Sequence, residues 1–257
     1  MLAQQRREKI IELIKENGST RVTYLSKLFN VSEPTIRQDL VKIESAGEIA
    51  RDHGGAYLKN ISDRVKSLSL EHNENMDLKK LIGVTAAGFV KENSSVILDS
   101  GTTVTELARE LSGTKQLRVI TNSLNIALIL GAFPGMEVHM TGGEFKAPTL
   151  SLTGDKAAVF FQNTHVNQLF LAAAGVSVET GLTYPGFSDL PVKQAMIDSA
   201  DEVFLLIDST KINRPAFAAI QVLDRIDYII TDNGITDSQK QGFENSGIKV
   251  VIADSLP

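Results

Sequence analysis

The residues best equipped for chemistry are Asp99-Ser100-Gly101-Thr102-Thr103, which follow the apolar run Val96-Ile97-Leu98 and lead into a helical pattern. Gly101 permits a sharp backbone turn, and the hydroxyls of Ser100, Thr102 and Thr103 supply donors. The free N–H groups of a helix start favour an anion, so the stretch reads as a phosphate cradle. Its other reading is an ordinary turn with a threonine N-cap. The loop lacks both the Gly-Lys-Ser/Thr close of a Walker loop and the three spaced glycines of a dinucleotide fingerprint, so no cofactor is expected.

Small polar residues recur at the ends of neighbouring runs. Thr121-Asn122-Ser123 close the run from Leu117, Gly142-Gly143 follow the one from Met136, and Asp208 to Lys211 follow Val203 to Ile207. With Lys193 and Lys211 as alternative cations, the set suits a hydroxylated, phosphorylated small molecule. Asp99 and Asp208 are expected to meet ligand hydroxyls rather than to act in catalysis. Asp189 and Lys193, four apart, read either as a ligand pair or as a surface ion pair on a helix.

The elements that must position these residues alternate. Helical patterns span Leu78 to Lys91, Val104 to Leu111, Leu124 to Leu130 and Thr153 to Phe161. Runs of the length of buried or extended strands span Val96 to Leu98, Leu117 to Thr121, Met136 to Met140, Leu169 to Ala174, Val203 to Ile207, Tyr228 to Thr231 and Lys249 to Ala253. Such alternation predicts a layered α/β domain with a mostly parallel sheet, whose ligand crevice lies beyond the carboxyl ends of the strands.

A second chemistry lies near the N-terminus. In Val31 to Leu40, Ser32 is suited to cap a helix and Pro34 to its first turn. Ile36, Leu40 and Ile43 then form one buried stripe, which turns Thr35, Gln38 and Lys42 outward and leaves Arg37 on the flank. Preceded by the pattern from Val22 to Phe29 and a tight turn at Asn30, this predicts a helix-turn-helix whose second helix enters a DNA major groove. Ile10, Ile11, Leu13 and Ile14 add an earlier helix. Glu48 to Arg51 and Ala56 to Leu58, turned by Asp52 to Gly55, read as a hairpin wing.

At 257 residues the chain has room for a small head and a larger body. We expect a winged helix-turn-helix at 1–58, a polar linker at 59–77 and the α/β domain at 78–257. The absence of cysteine removes disulfides and thiolate chemistry and fits a reducing cytoplasm. Neither a leader pattern nor an 18-residue apolar run is present, so no membrane partner is expected. His53 belongs to the wing, and His72, His139 and His165 lack metal-ligand spacing, so no metal is expected. Net charge is −5, yet residues 1–58 hold nine basic against eight acidic side chains, which confines the acidity to the body. So small a positive charge predicts that one head binds DNA poorly and that a homo-oligomer, dimer or tetramer, presents two or more.

Val31-Ser32, Thr35-Ile36-Arg37, Asp39-Leu40, Glu44, Gly47, Arg51 and the His53 to Ala56 stretch resemble the N-terminal signature of the DeoR family of bacterial transcriptional regulators. The order of the strand-end motifs, DSGTT, TNS, GG, GLTYP and DSTK, resembles that family's sensor domain. The resemblance implies a transcriptional repressor or activator, with a repressor of sugar-metabolism genes as the expected form. Its contact with double-stranded operator DNA through Ser32, Thr35, Arg37, Gln38, Lys42, Arg51 and His53 would be modulated by a phosphorylated sugar.

The sensor fold also resembles ribose-5-phosphate isomerase, which makes a sugar-phosphate isomerase-like enzyme with a DNA-binding head the alternative. An isomerase needs a carboxylate base at the pocket. Ala173 and Ala174 stand where the isomerases have acidic residues, and Ala172 and Ala174 depart from the Gly-Ala-Asp-Gly common in DeoR-type chains. No catalytic residue is therefore assigned. A body acting only as an oligomerisation scaffold is a third reading, against which the polar strand ends weigh.

Overall fold

The computed structural model describes residues 3–17, 19–45, 47, 49–52, 54–58, 75–111, 116–146 and 149–254, in two compact units divided after Glu74. His53 and most of the expected linker lie outside the described residues.

The N-terminal unit contains α1 (Ala3–Asn17), β1 (Ser19–Arg21), α2 (Val22–Phe29), α3 (Glu33–Ser45), β2 (Ile49–Asp52) and β3 (Gly55–Leu58). Ile10 and Ile14 of α1, Leu25 of α2 and Ile36, Leu40 and Ile43 of α3 close one core with Ile49 and Ala56. Asn30 makes the turn between α2 and α3 in the left-handed conformation, at φ 51°, which a short polar side chain tolerates. The wing is broader than expected. β1 joins it, giving the antiparallel order β1-β3-β2. A Cβ at Gly55 would stand 2.2 Å from the Thr20 carbonyl oxygen, so only glycine permits that third strand.

The larger unit is built on seven parallel strands: β4 (Ser94–Leu98), β5 (Leu117–Thr121), β6 (Met136–Met140), β9 (Val166–Leu171), β12 (Ala200–Leu206), β14 (Tyr228–Asp232) and β15 (Lys249–Ala253). Their order is β15-β14-β12-β9-β4-β5-β6. Period-two alternation distributes the apolar side chains to two faces. Val96, Leu98, Phe170, Phe204 and Ile230 pack with α4 (Met76–Ala87), α5 (Thr102–Glu110) and α6 (Leu124–Leu130). Ile97, Leu169, Leu171, Leu205 and Ile229 pack instead with α7 (Asp155–Val159), α8 (Leu190–Asp198) and α9 (Asp237–Asn245). Burial on both faces explains why the inner strands β9, β12 and β14 read as continuous apolar runs, whereas the edge strand β6 alternates and is mostly exposed.

Short antiparallel pieces escape the sequence pattern. β7 (Glu144–Lys146) pairs with β8 (Ser151–Thr153), and β10 (Gly175–Ser177), β11 (Gly181–Tyr184) and β13 (Ala218–Ile220) form a separate sheet. The helix expected from Thr153 to Phe161 is therefore a strand end, the five-residue α7 and a 3-10 turn over Phe160–Asn163. α4 begins at Met76, inside the expected linker.

Candidate functional site

The chain runs from β4 outward through β5 to β6, then returns to lay β9 on the other side of β4. The strand order reverses between β4 and β9, and open parallel sheets take ligands in the crevice at such a point. Asp99 sits there, fully buried one residue past β4. Its Oδ1 accepts the Ser100 N–H at 2.6 Å and a bond from the Lys193 ammonium, and its Oδ2 accepts the Ala172 N–H, just past β9, at 3.0 Å. One carboxylate thus ties together both strands at the reversal and α8.

Asn122, fully buried after β5, secures the same loop. Its Oδ1 accepts the Ser100 N–H at 3.0 Å, while its Nδ2 donates to Ser100 Oγ at 3.2 Å and to the Leu152 carbonyl at 3.0 Å. Gly101 is needed for a reason other than the expected turn. Its φ is −143°, open to any residue, but a Cβ there would lie 2.3 Å from the Ala172 Cβ. Gly101 is the N-cap of α5 and offers no side-chain cap, so the first-turn N–H groups of Thr102, Thr103 and Val104 have no intrahelical acceptor.

Asp189 and Lys193 do not pair with each other. Lys193, 3% exposed, turns to Asp99, and Asp189, 6% exposed, accepts from Lys146 Nζ of β7 at 2.5 Å. Neither residue is a surface charge. Thr121 and Ser123 have structural partners: Thr121 Oγ1 donates to the Leu98 carbonyl at 2.7 Å, and Ser123 Oγ caps α6. Gly143, at φ +126°, lies against Thr153 and Ala157, whereas a Cβ on Gly142 would meet open space. Asp208 and Lys211 lie past β12, two strand positions from β4. There Lys211 Nζ stands 3.4 Å from Asp208 Oδ2, and Asp208 Oδ1 accepts from Thr210 and, at 3.4 Å, from Asn75.

Among the described residues, four buried side-chain oxygens have no hydrogen-bond partner: Thr141 Oγ1, Tyr184 OH, Asp208 Oδ2 and Thr231 Oγ1. Thr141 follows β6, Asp208 follows β12 and Thr231 is near the end of β14, so three mark the carboxyl edge of the parallel sheet. The fourth, at the end of β11, adjoins that edge: the Lys193 ammonium lies 5.5 Å from the Tyr184 ring centroid. Burial, then the charges of Asp99 and Asp189, push the Tyr184 phenol well above its usual range, so it is a neutral donor. Buried polar groups in folded chains are nearly always paired, with protein groups or ordered water, so these oxygens single out the carboxyl edge of the sheet. Sequence reasoning quoted Tyr184 within GLTYP without a role and passed over Lys146. Neither has a spacing signal, because their partners are remote in sequence. Among the described residues no group of three or more His, Cys, Asp or Glu is placed to hold a metal.

In the N-terminal unit, Arg37, Gln38 and Lys42 are exposed on α3, and Thr35 is half-buried. Ser32 Oγ accepts the Thr35 N–H at 3.4 Å and lies 2.8 Å from its hydroxyl, which makes Ser32 the helix cap as well as an exposed residue. Arg37 stands 3.5 Å from Glu33, one turn earlier. Arg51 is drawn to Glu44, donating to Oε2 at 2.6 Å, which fastens the wing to α3. Arg6 of α1 donates to the buried Asp39 of α3 at 2.6 Å. The helix that presents the donors is thus clamped from both sides. Among the described residues no helix is long and apolar enough to cross a membrane.

Known proteins match this chain along almost its whole length. The model of the DeoR C terminal sensor domain matches residues 74–233, and that of the DeoR-like helix-turn-helix domain matches residues 6–61. The chain is 34% identical over 250 residues to the HTH-type transcriptional regulator GolR of Listeria innocua, covering 97% of this chain and 98% of that one. It is 34% identical over 236 residues to the lactose phosphotransferase system repressor of Streptococcus mutans, covering 90% and 93%. A solved ribose 5-phosphate isomerase A from Methanocaldococcus jannaschii is similar over 54% of this chain and 55% of its own, at 19% identity and a TM-score of 0.41.

Proposed function

The chain belongs to the DeoR family of transcriptional regulators, and on that premise we propose that it represses sugar-metabolism genes by binding operator DNA as a homo-oligomer, and that a phosphorylated sugar alters that binding. Its named relatives are regulators and repressors, not enzymes. The head, about residues 1–58, reads duplex DNA in the cytoplasm. Arg37, Gln38 and Lys42 of α3, with Thr35, face the major groove, and Ser32, Arg51 and His53 meet the flanking backbone. Oligomerisation, as a dimer or tetramer, offsets the weak positive charge of a single head.

The body, joined to the head through the segment from Lys59, is the sensor. The observation that supports this most is the set of buried side-chain oxygens without a hydrogen bond along the carboxyl edge of the sheet, together with the N-terminus of α5, which has no side-chain cap. Of these oxygens, Asp208 Oδ2 has the Lys211 ammonium 3.4 Å away. In this reading the effector phosphate lies on the first turn of α5, at Gly101-Thr102-Thr103, where the dipole and N–H groups favour an anion. Asp99, Ser100, Asn122 and Lys193 hold that loop in shape. Asp208, Lys211 and the Gly142-Gly143 turn serve the sugar hydroxyls, with Thr121 and Ser123 supporting from behind. The test is a thermal-shift panel of triose, pentose and hexose phosphates. A true effector at a hundred times its Kd adds about 2.7 kcal/mol of stability, and the matching unphosphorylated sugar adds none. A panel that leaves the transition unmoved rejects the sensor reading.

A further inference from the structure

Tyr184 is 4% exposed and closes the short strand β11, paired with Ala218 of β13. Its ring belongs to the core cluster that also holds Val192 and Met196, and the Lys193 ammonium lies 5.5 Å from its centroid. Its hydroxyl, by contrast, has no partner. A buried hydroxyl without a hydrogen bond costs about 1–3 kcal/mol, so phenylalanine would serve the packing better. A tyrosine at this position is explained by a hydrogen-bond partner for its hydroxyl beyond the side chains that surround it.

We propose that the Tyr184 hydroxyl is a specificity-determining contact of the effector site, donating a hydrogen bond to an uncharged oxygen of the sugar. The inference rests on the sugar-phosphate reading above and adds a residue to it. The donor role follows from the setting: the phenol stays protonated beside Asp99 and Asp189. The partner is a sugar hydroxyl rather than the phosphate, because the phosphate is assigned to the first turn of α5, and Asp99 and Asp189 are each already closed into an ion pair, with Lys193 and Lys146. Ala172, Ala173 and Ala174, which follow β9 beside Asp99, offer no polar side-chain atom, so Tyr184 supplies the donor that this wall of the site lacks. The hydroxyl is shut from solvent in the unliganded chain, and the sugar reaches it as neighbouring side chains change rotamer on binding.

The test uses the full-length chain and its Tyr184→Phe variant, titrated calorimetrically with inorganic phosphate and with a panel of pentose, hexose and polyol phosphates. The expected result is a loss of about tenfold or more in affinity for the best sugar phosphate, the equivalent of one hydrogen bond. Affinity for inorganic phosphate stays unchanged, and the Tm of the unliganded variant is equal to or above that of the wild type. Equal sugar-phosphate affinity in the two chains overturns the inference and leaves the sensor reading standing. So does a lower Tm in the unliganded variant, which would show the hydroxyl already paired. A wild type that binds inorganic phosphate but no sugar phosphate overturns the Tyr184 contact. A wild type that binds none of these compounds removes the sensor reading and the contact together.

Discussion

Lys193 and Asp99, ninety-four positions apart in the chain, meet as a closed ion pair at the reversal point of the sheet, each no more than 4% exposed at its side chain. The pair fixes α8 to the end of β4 and neutralises the carboxylate nearest the α5 N-terminus. Without Lys193, that carboxylate would repel any anion approaching the cradle. In the proposed sensor reading Lys193 thus acts on the effector phosphate through Asp99, as a positioning residue.

Removing one partner of such a pair leaves an uncompensated buried charge. Lys193→Met and Asp99→Asn should each destabilise the body by about 3–5 kcal/mol, and the double variant should recover much of the loss. Chemical denaturation of the four chains measures this. If the double variant loses the sum of the two single losses, the side chains are not coupled as described.

Gly101 is constrained by its neighbour and not by its φ. Gly101→Ala should cost about 1–3 kcal/mol by overpacking against Ala172 and should weaken effector binding, and Ala172→Gly in the same chain should restore both. A double variant as impaired as Gly101→Ala would place the obstruction elsewhere.

The long-period features of this chain were legible in its sequence. β5, β15 and α6 have the expected limits, because apolar runs bounded by polar residues or glycine mark them even where, as in β15 and α6, the run is only partly buried. β9 was misplaced toward Leu169 to Ala174. The apolar run continues into three alanines that lie past the strand end, where small side chains leave room. β10, β11 and β13 are too short to set up a period. The strand-end donors were legible too, but their division was not. Lys193 meets Asp99 through the tertiary fold, which no local spacing encodes, whereas Lys211 meets Asp208 three residues away within one loop. Likewise, helical spacing joined Asp189 to Lys193, whereas the tertiary fold sends each to a different partner.

On the head, Gln38→Ala should cost about 1–3 kcal/mol at one base position, while Lys42→Ala should weaken all duplexes alike and reduce the salt slope by about one. Arg37→Ala should leave the fold intact, because its exposed pair with Glu33 contributes little to stability, yet lower operator affinity. Gel-shift titrations at several salt concentrations distinguish these outcomes. An unaltered affinity in Arg37→Ala would remove this side chain from the interface.

Alkaline pH should reveal Tyr184. Burial and two carboxylates hold its phenol well above the ordinary value of 10.0, which it regains on unfolding. Above that pH the native chain binds the extra proton, so the stability this group contributes is complete below pH 10.0 and is lost as pH rises beyond it. Tyr184→Phe removes that slope. Denaturation midpoints that fall in parallel for both chains above pH 10.0 would mean that the phenol is not shielded as described.

The central claim is that a sugar phosphate bound at the β4–β9 reversal governs DNA binding. It is tested most directly by release of the full-length protein from an operator selected out of a random duplex pool, titrated with the sugar phosphate that shifts its melting transition. The wild type should lose about 5–150-fold in operator affinity at saturation, the range of ordinary allosteric coupling, while Gly101→Val binds the operator and ignores the effector. Release of Gly101→Val at the wild-type effector concentration would contradict the account, because the phosphate would then lie elsewhere than on the first turn of α5.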